Sequence, residues 1–418
     1  MTINNRKTVT ELNLKTPNKH ALTFIFITIL LDIIGFGIII PVLPELIIEL
    51  TGEPLSQAAV YGGWLLTLYA LMQFFFAPLL GNLSDRFGRR PVLLFSLFAF
   101  SIDYLIMGMA PTLLWLFFGR IMAGMAGATF APANAYIADV SPPEKRAQNF
   151  GLVGAAFGVG FIIGPVVGGL LGQIGPRVPF FAAAGLAFTN MLYGFFILPE
   201  TLPKEKRRPF SLKRANPAGV FLQIRQYPLV PGLLIALFLY QIAHDANPAV
   251  WSYYTMDKFG WSEREVGYSL GFVGLMVAIV QGGLIRKIIP RLGEKRVVYI
   301  GLALFALGFF GFAFANTGWL MYLSIIPFAM GSGAIPALKG IMANRVPANA
   351  QGELQGAISS LMSFTAILTP LLMTRLFGYF TRQDALIYFP GAPFLTAAVM
   401  SLSAMFVFLA VIRLANSK

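Results

Sequence analysis

Runs of about twenty apolar residues, separated by short polar loops, fill most of this 418-residue chain. They fall near 22–47, 59–80, 92–110, 113–138, 149–172, 179–198, 228–251, 266–285, 297–316, 318–344, 353–378 and 391–413. An α-helix rises 1.5 Å per residue, so about twenty residues cross the hydrocarbon layer of a bilayer. Backbone N–H and C=O groups in lipid must be satisfied internally. Long uniform runs therefore predict spanning helices, whereas a barrel would show short alternating segments. With 57% hydrophobic and 12% charged residues, the chain lies far from soluble domains, in which about a quarter of residues are charged. The expected fold is an all-α integral membrane protein with twelve transmembrane helices.

The net charge of +13 would suit a nucleic-acid binder until the basic residues are placed on these runs. Loops assigned alternately from a cytoplasmic N-terminus put most Lys and Arg on the cytoplasmic side, and Arg177, Lys258, Arg264, Arg375 and Arg382 on the other. This bias places both termini in the cytoplasm and makes anionic lipid the partner of the basic excess, with no nucleic acid. Cysteine is absent, which excludes disulfides and thiolate metal sites. The basic N-terminal arm precedes an apolar run too long for a signal core, and that run contains Asp32, so it reads as helix 1.

Self-comparison shows an offset of about 205 residues. Gly62 falls on Gly267, Gly88 on Gly293, Gly151 on Gly356 and Pro165 on Pro370. Transporters are often built from such repeats. The expected organisation is an N-terminal arm (1–21), a six-helix bundle (22–198), a Pro-rich basic cytoplasmic linker (199–227), a pseudo-symmetric second bundle (228–413) and a short cytoplasmic tail (414–418). Val220, Leu222 and Ile224 in the linker fit a short amphipathic helix on the headgroups.

Charge is densest in the loop Gly81-Asn-Leu-Ser-Asp85-Arg86-Phe-Gly88-Arg89-Arg90-Pro91, between the second and third runs. Its glycines permit a tight turn, Pro91 suits a first helical turn, and Asp85 can pair with the arginines. The string resembles the G-x-x-x-D-R-x-G-R-R loop between helices 2 and 3 of the major facilitator superfamily of secondary transporters. Its degenerate copy, Pro290-Arg-Leu-Gly-Glu-Lys295, lacks the acid.

Several polar residues lie inside the runs. Asp32 and Asp103 sit near mid-membrane, where a carboxylate must be protonated, paired or hydrated; each is a proton carrier or a structural hydrogen-bonding group. Arg120 lies about seven residues inside helix 4, where it either snorkels or pairs with an acid or carbonyl. Helix 7 carries Tyr240-Gln241-Ile-Ala-His244-Asp245-Ala-Asn247-Pro248 near its outer end. That cluster reads equally as a proton relay or as an outer gate with a proline break. His244 is alone among the runs, so metal binding is not expected. Gln73, Asn134, Tyr136, Gln241 and Gln281 are candidate substrate contacts. Lys339 either snorkels or serves as a counter-charge for an intramembrane carboxylate. Trp251, Tyr253, Tyr254 and Trp261 read as an interfacial belt. In helix 5, Gly151, Gly160, Gly164, Pro165, Gly168 and Gly169 allow close helix approach with a proline bend.

The helix 5 spacing resembles the antiporter signature of the superfamily, and Gly119-Arg-Ile-Met-Ala-Gly124 resembles its helix 4 motif, whose arginine is associated with proton coupling. From end to end the chain resembles the tetracycline-resistance branch of the drug:proton antiporters, through Leu31-Asp32-Ile-Ile-Gly35-Phe-Gly37, Asp103-Tyr104-Leu105, Ala135-Tyr136-Ile137-Ala138-Asp139 and Phe259-Gly260-Trp261. The resemblance implies a major facilitator fold and assigns Asp32 and Asp103 to transport and coupling. It assigns Asp85 and Arg89 to conformational switching, and pairs Arg89 with Asp139. The loop is expected to lock an outward-facing form against helix 11. Two departures stand out: Val277 where the branch has a histidine before the helix 8 glutamine, and an apolar helix 9 where it has an acid.

These readings predict a monomeric, multi-pass protein of a bacterial inner membrane that exports drugs or small amphiphiles by alternating access. No cofactor is expected, protons are the coupling ion, and no nucleophile–base arrangement marks an enzyme. The alternatives are export of a metabolite or siderophore and, from another class, a transporter-like sensor or scaffold.

Overall fold

The computed structural model describes residues 19–127, 130–141, 145–208, 226–347 and 350–416, and among them are helices and turns with no strand. The helices are α1 (Lys19–Ile39), α2 (Leu43–Thr51), α3 (Leu55–Phe87), α4 (Arg89–Met109), α5 (Leu113–Ala126), α6 (Phe130–Val140), α7 (Arg146–Gly172) and α8 (Val178–Ile197). After the linker come α9 (Val230–Phe259), α10 (Glu263–Ile279), α11 (Ile285–Leu292), α12 (Glu294–Phe314), α13 (Gly318–Gly331), α14 (Ala334–Ala343), α15 (Gln351–Thr381) and α16 (Ala392–Asn416).

Eleven segments are long and apolar enough to span a membrane, and the remaining expected span, the fourth, is α5 followed by α6. Spans 8 and 10 are also composite: a π-helical turn, Val280–Leu284, joins α10 to α11, and a turn at Ser332–Gly333 separates α13 from α14. The first run is shorter than the sequence implied. It stops at Ile39, and α2 begins beyond Pro41 with Pro44 in its first turn. The linker segment around Val220 lies outside the described residues.

The two bundles repeat each other closely. Gly88 (φ 110°, ψ 158°) and Gly293 (φ 77°, ψ 152°) occupy the same positive-φ conformation before α4 and α12, which an L side chain rarely adopts. Each following helix has 21 residues and ends on an alanine, Ala110 or Ala315, with φ −55°. Both next spans then start from an extended threonine, Thr112 or Thr317. One backbone plan is used twice, although the sequences share few residues.

The bundles meet where span 2 packs on span 11 and span 5 on span 8. At the end remote from Gly88 these seams are tight. A Cβ on Gly62 would strike Tyr253, one on Gly63 would strike Thr374, and one on Gly267 would strike the Pro165 carbonyl. Thr67 Oγ1 donates to the Ile367 carbonyl (3.0 Å) and Ser252 Oγ to that of Ile40 (2.9 Å), so hydrogen bonds also tie one bundle to the other. The opposite end, beside the Gly81–Pro91 loop, is loosely packed. Among the described residues, a Cβ added at Gly81, Gly151, Gly154, Gly158, Gly282, Gly283 or Gly352 would meet no neighbouring atom within 4 Å. The molecule is closed at the far end and open at the loop end.

The aromatic residues of α9 form core. Trp251 and Tyr254 are fully buried and bond to Ser269 (2.9 Å) and to the Phe312 carbonyl (2.5 Å). Tyr253 packs into the seam at Gly62, so three of the four expected belt residues are interior.

Candidate functional site: an intramembrane charge cluster and a loop latch

α4 and α5 bring Asp103 and Arg120 together. Both are buried, and Arg120 Nη2 donates to Asp103 Oδ2 and also reaches the Met107 sulfur (2.7 Å). Gly119 makes this possible: a Cβ there would lie 2.7 Å from Asp103 Oδ1. The guanidinium also stands 5.6 Å from the Tyr69 ring centroid, a cation–π contact. Arg120 therefore pairs and does not snorkel, because a lone charge at this depth costs about 3 kcal/mol. Asp103 Oδ1 and Arg120 Nε remain buried without a partner among the described residues. Arg120 further lines an apolar pocket shared by the two bundles, with Phe36, Leu65, Met107, Pro248 and Tyr253.

Asp32 on α1 is half-buried beside Asn190 of α8, whose amide donates to the Thr28 carbonyl (3.1 Å). Gln73 Nε2 donates to the Gly127 carbonyl (3.2 Å) at the break of span 4. Asp32, Tyr69, Asp103 and Arg120 thus form the polar heart of the first bundle.

α9 continues past Pro248 to Phe259, so His244 lies midway along a 30-residue helix and not near its outer end. His244 Nδ1 is 3.1 Å from Asp245 Oδ1, which also accepts from Gln241 Nε2 (2.7 Å). The imidazole lies near-parallel to the stacked Tyr240 and Phe305 rings, at the edge of that pair, while its side chain stays 45% exposed. The Asp245 side chain is 17% exposed, less open than the imidazole it faces.

Two expected cavity residues face elsewhere. Tyr136 is fully buried within the first bundle, its hydroxyl donating to the Pro199 carbonyl (3.3 Å), and Gln241 is occupied with Asp245. In an almost wholly apolar helix, polarity alone does not show which face a side chain takes. Asn134 and Gln281 are exposed, Gln281 in the π turn of span 8.

The loop latch is assembled from the first bundle and the start of the linker, where the Arg208 N–H donates to the Asp85 carbonyl (3.1 Å). Arg89 Nη1 donates to Asp85 (2.6 Å) and Ser84 (2.7 Å), and its Nε to Asp139 (3.3 Å). Arg90 donates to the Phe195 carbonyl (2.5 Å), and Arg86 lies over the Phe87 ring. Among the described residues no hydrogen bond or ion pair joins the loop to span 11. The sequence reading missed Glu200, whose carboxylate accepts the backbone N–H of Arg89 (2.9 Å) and Arg90 (3.3 Å). An acid there caps the N-terminus of α4, where the helix dipole favours negative charge. The glycines of α7 divide in two. Gly160, Gly164 and Gly168 receive Ile33, Gly37 and Ile38 of α1, and Gly169 receives Glu263, beside Pro165, whereas Gly151 is open.

Comparison with known proteins identifies the family. The Major Facilitator Superfamily profile matches residues 25–370 and 233–418. The chain is 43% identical over 361 residues to the class C tetracycline resistance protein of Escherichia coli, covering 86% of this chain and 90% of that protein. It is 31% identical over 373 residues to multidrug resistance protein 2 of Bacillus subtilis, covering 86% and 89%. Among solved structures, the human organic anion transporter MFSD10 superposes with a TM-score of 0.70 at 24% identity, over 94% of this chain and all of that one. A bacterial homologue of the lysosomal transporter Spinster, captured inward-facing, gives 0.72 at 16% identity, over 95% and 96%. Fold, helix count and sequence thus converge: the chain belongs to the Major Facilitator Superfamily and is a membrane transporter, not an enzyme.

Proposed function

We propose that this protein exchanges cytoplasmic drugs or small amphiphiles for incoming protons by alternating access. The observation that carries the reading is the Asp103–Arg120 pair, buried against an apolar pocket that both bundles line, in a molecule open at one end only. A carboxylate held by a guanidinium in a low-dielectric site is poised to exchange that partner for a proton when the surroundings change. Asp32 supplies a second carboxylate toward the same interior, and His244 with Asp245 a proton path in the second bundle.

The positive-inside bias assigns the loop end to the cytoplasm, so this conformation faces inward, with both termini cytoplasmic in a bacterial inner membrane. The protein acts as a monomer with anionic lipid at its basic face, and protons are its coupling ion. Similarity to tetracycline resistance proteins and to a multidrug resistance protein supports drug efflux over metabolite export or sensing.

Everted membrane vesicles energised by respiration test this reading. Wild-type vesicles accumulate a fluorescent drug in a manner abolished by a protonophore, and Asp32→Asn vesicles with equal protein content do not. Undiminished accumulation by Asp32→Asn would remove Asp32 from the coupling mechanism.

A further inference from the structure

Lys339 is a cation in the second bundle that the proposed exchange leaves unused. It lies on α14, four residues before the helix ends at Ala343. It is half-buried, pairs with no carboxylate among the described residues, and has the Met362 sulfur as its nearest polar contact, at 3.8 Å. Arg120, by contrast, is compensated by Asp103, and Arg375, towards the far end of span 11, lies 5.5 Å from the Trp64 ring.

Direction excludes snorkelling. Side chains on a helix lean toward its N-terminus, which for α14 means away from the nearby headgroups at the loop end. Met362 confirms the lean. It is the twelfth residue of α15, about 16 Å along that helix from the same end, whereas the Lys339 backbone lies only about 6 Å in. The ammonium thus points toward the middle of the membrane. Its exposed part cannot rest in hydrocarbon, where a bare charge is costly, so it faces the water-accessible space between the bundles. Nearby acids do not serve it. Glu294 packs against Gly340 on another face of α14, and Glu353 sits in the first turn of α15, near the membrane surface.

We propose that Lys339 is a specificity-determining residue that binds the anionic group of the transported amphiphile, in the first instance a carboxylate. A thioether neighbour fits this role. Methionine packs against the apolar body of a ligand and leaves the ammonium available to its charged end. The inference rests on the transport reading for the ligand's existence and adds its chemistry: apolar body, one negative group.

The test uses the purified full-length chain in detergent with 7-octyloxycoumarin-3-carboxylate and its methyl ester, followed by fluorescence anisotropy. Wild type binds the carboxylate at least tenfold more tightly than the ester. Lys339→Gln removes that preference while ester affinity stays within twofold, and Lys339→Arg keeps most of it. Equal wild-type affinity for acid and ester overturns the proposal whatever the variants do. So does a preference that survives in Lys339→Gln. The same dyes in energised everted vesicles separate the two readings: selective binding without protonophore-sensitive accumulation refutes efflux while Lys339 keeps its role.

Discussion

Arg120 and Asp103 illustrate how one contact fixes both stability and chemistry at the residue scale. Asp103→Asn strands the guanidinium, and a destabilisation of about 3 kcal/mol is expected. Thermal unfolding in detergent would show that loss. Removing both charges, Asp103→Asn with Arg120→Gln, restores most of the stability without restoring transport, because no ionisable pair remains. A double variant as unstable as the single one would mean that the pair is not the source of the effect. A second residue-scale prediction concerns the far end. There Glu45 of α2 has its carboxyl raised above its ordinary 4.5 by partial burial, then by Glu263 from the other bundle and by Glu49, itself paired with Arg177 at 2.9 Å. A group that binds protons more tightly in the closed arrangement favours closure as pH falls through the range just above 4.5. Spin labels on cysteines introduced at the far ends of spans 2 and 11 should report shorter distances at pH 5 than at pH 7. Glu45→Gln should flatten that response, and an unchanged response would sink the assignment. The absence of native cysteine makes such labelling clean. Charge type and depth made Asp103 and Arg120 legible in the sequence. Glu200 was not, because its cap on α4 spans 111 positions and exists only once the linker folds back.

Elements show the same division. Glycine and proline spacing marked α7 as a close-packing helix, and the structure uses its two ends differently. Gly168 faces the Ile38 carbonyl with no room for a methyl group, so Gly168→Leu should prevent folding into a monodisperse protein. Gly154 faces open space. Gly154→Leu should therefore fold with a wild-type melting temperature yet lose transport, because the loop end can no longer close. Full transport by Gly154→Leu would show that this stretch of α7 never packs against its neighbour. The repeat at an offset of about 205 was readable because it fixes backbone landmarks such as Gly88 and Gly293. The breaks in spans 4, 8 and 10 were not, because hydropathy runs through them unbroken; a π turn or a short bend leaves no apolar gap. Helix 7 was cut too early for the converse reason. Pro248 looks like a stop, but its neighbours hold the helix together to Gly260, whose positive φ (65°) ends it.

Across the whole molecule, the helical architecture follows from the apolar runs. Which end is open does not, since one sequence must encode both states, and only packing at the seams reveals it. With the loop end open, the latch binds its own bundle through Asp85, Arg89 and Asp139 and the linker through Glu200. Alternation requires the unpacked glycines at this end to meet partners while the far seams at Gly62 and Gly267 part. In the proposed mechanism, energy for that exchange comes from proton movement through the intramembrane carboxylates. The most direct test is reconstitution in proteoliposomes enclosing a pH-sensitive dye, with tetracycline and other amphiphiles added under an imposed proton gradient. The account predicts substrate-dependent proton flux that vanishes in Asp32→Asn. Substrate movement that leaves the internal pH unchanged would contradict it.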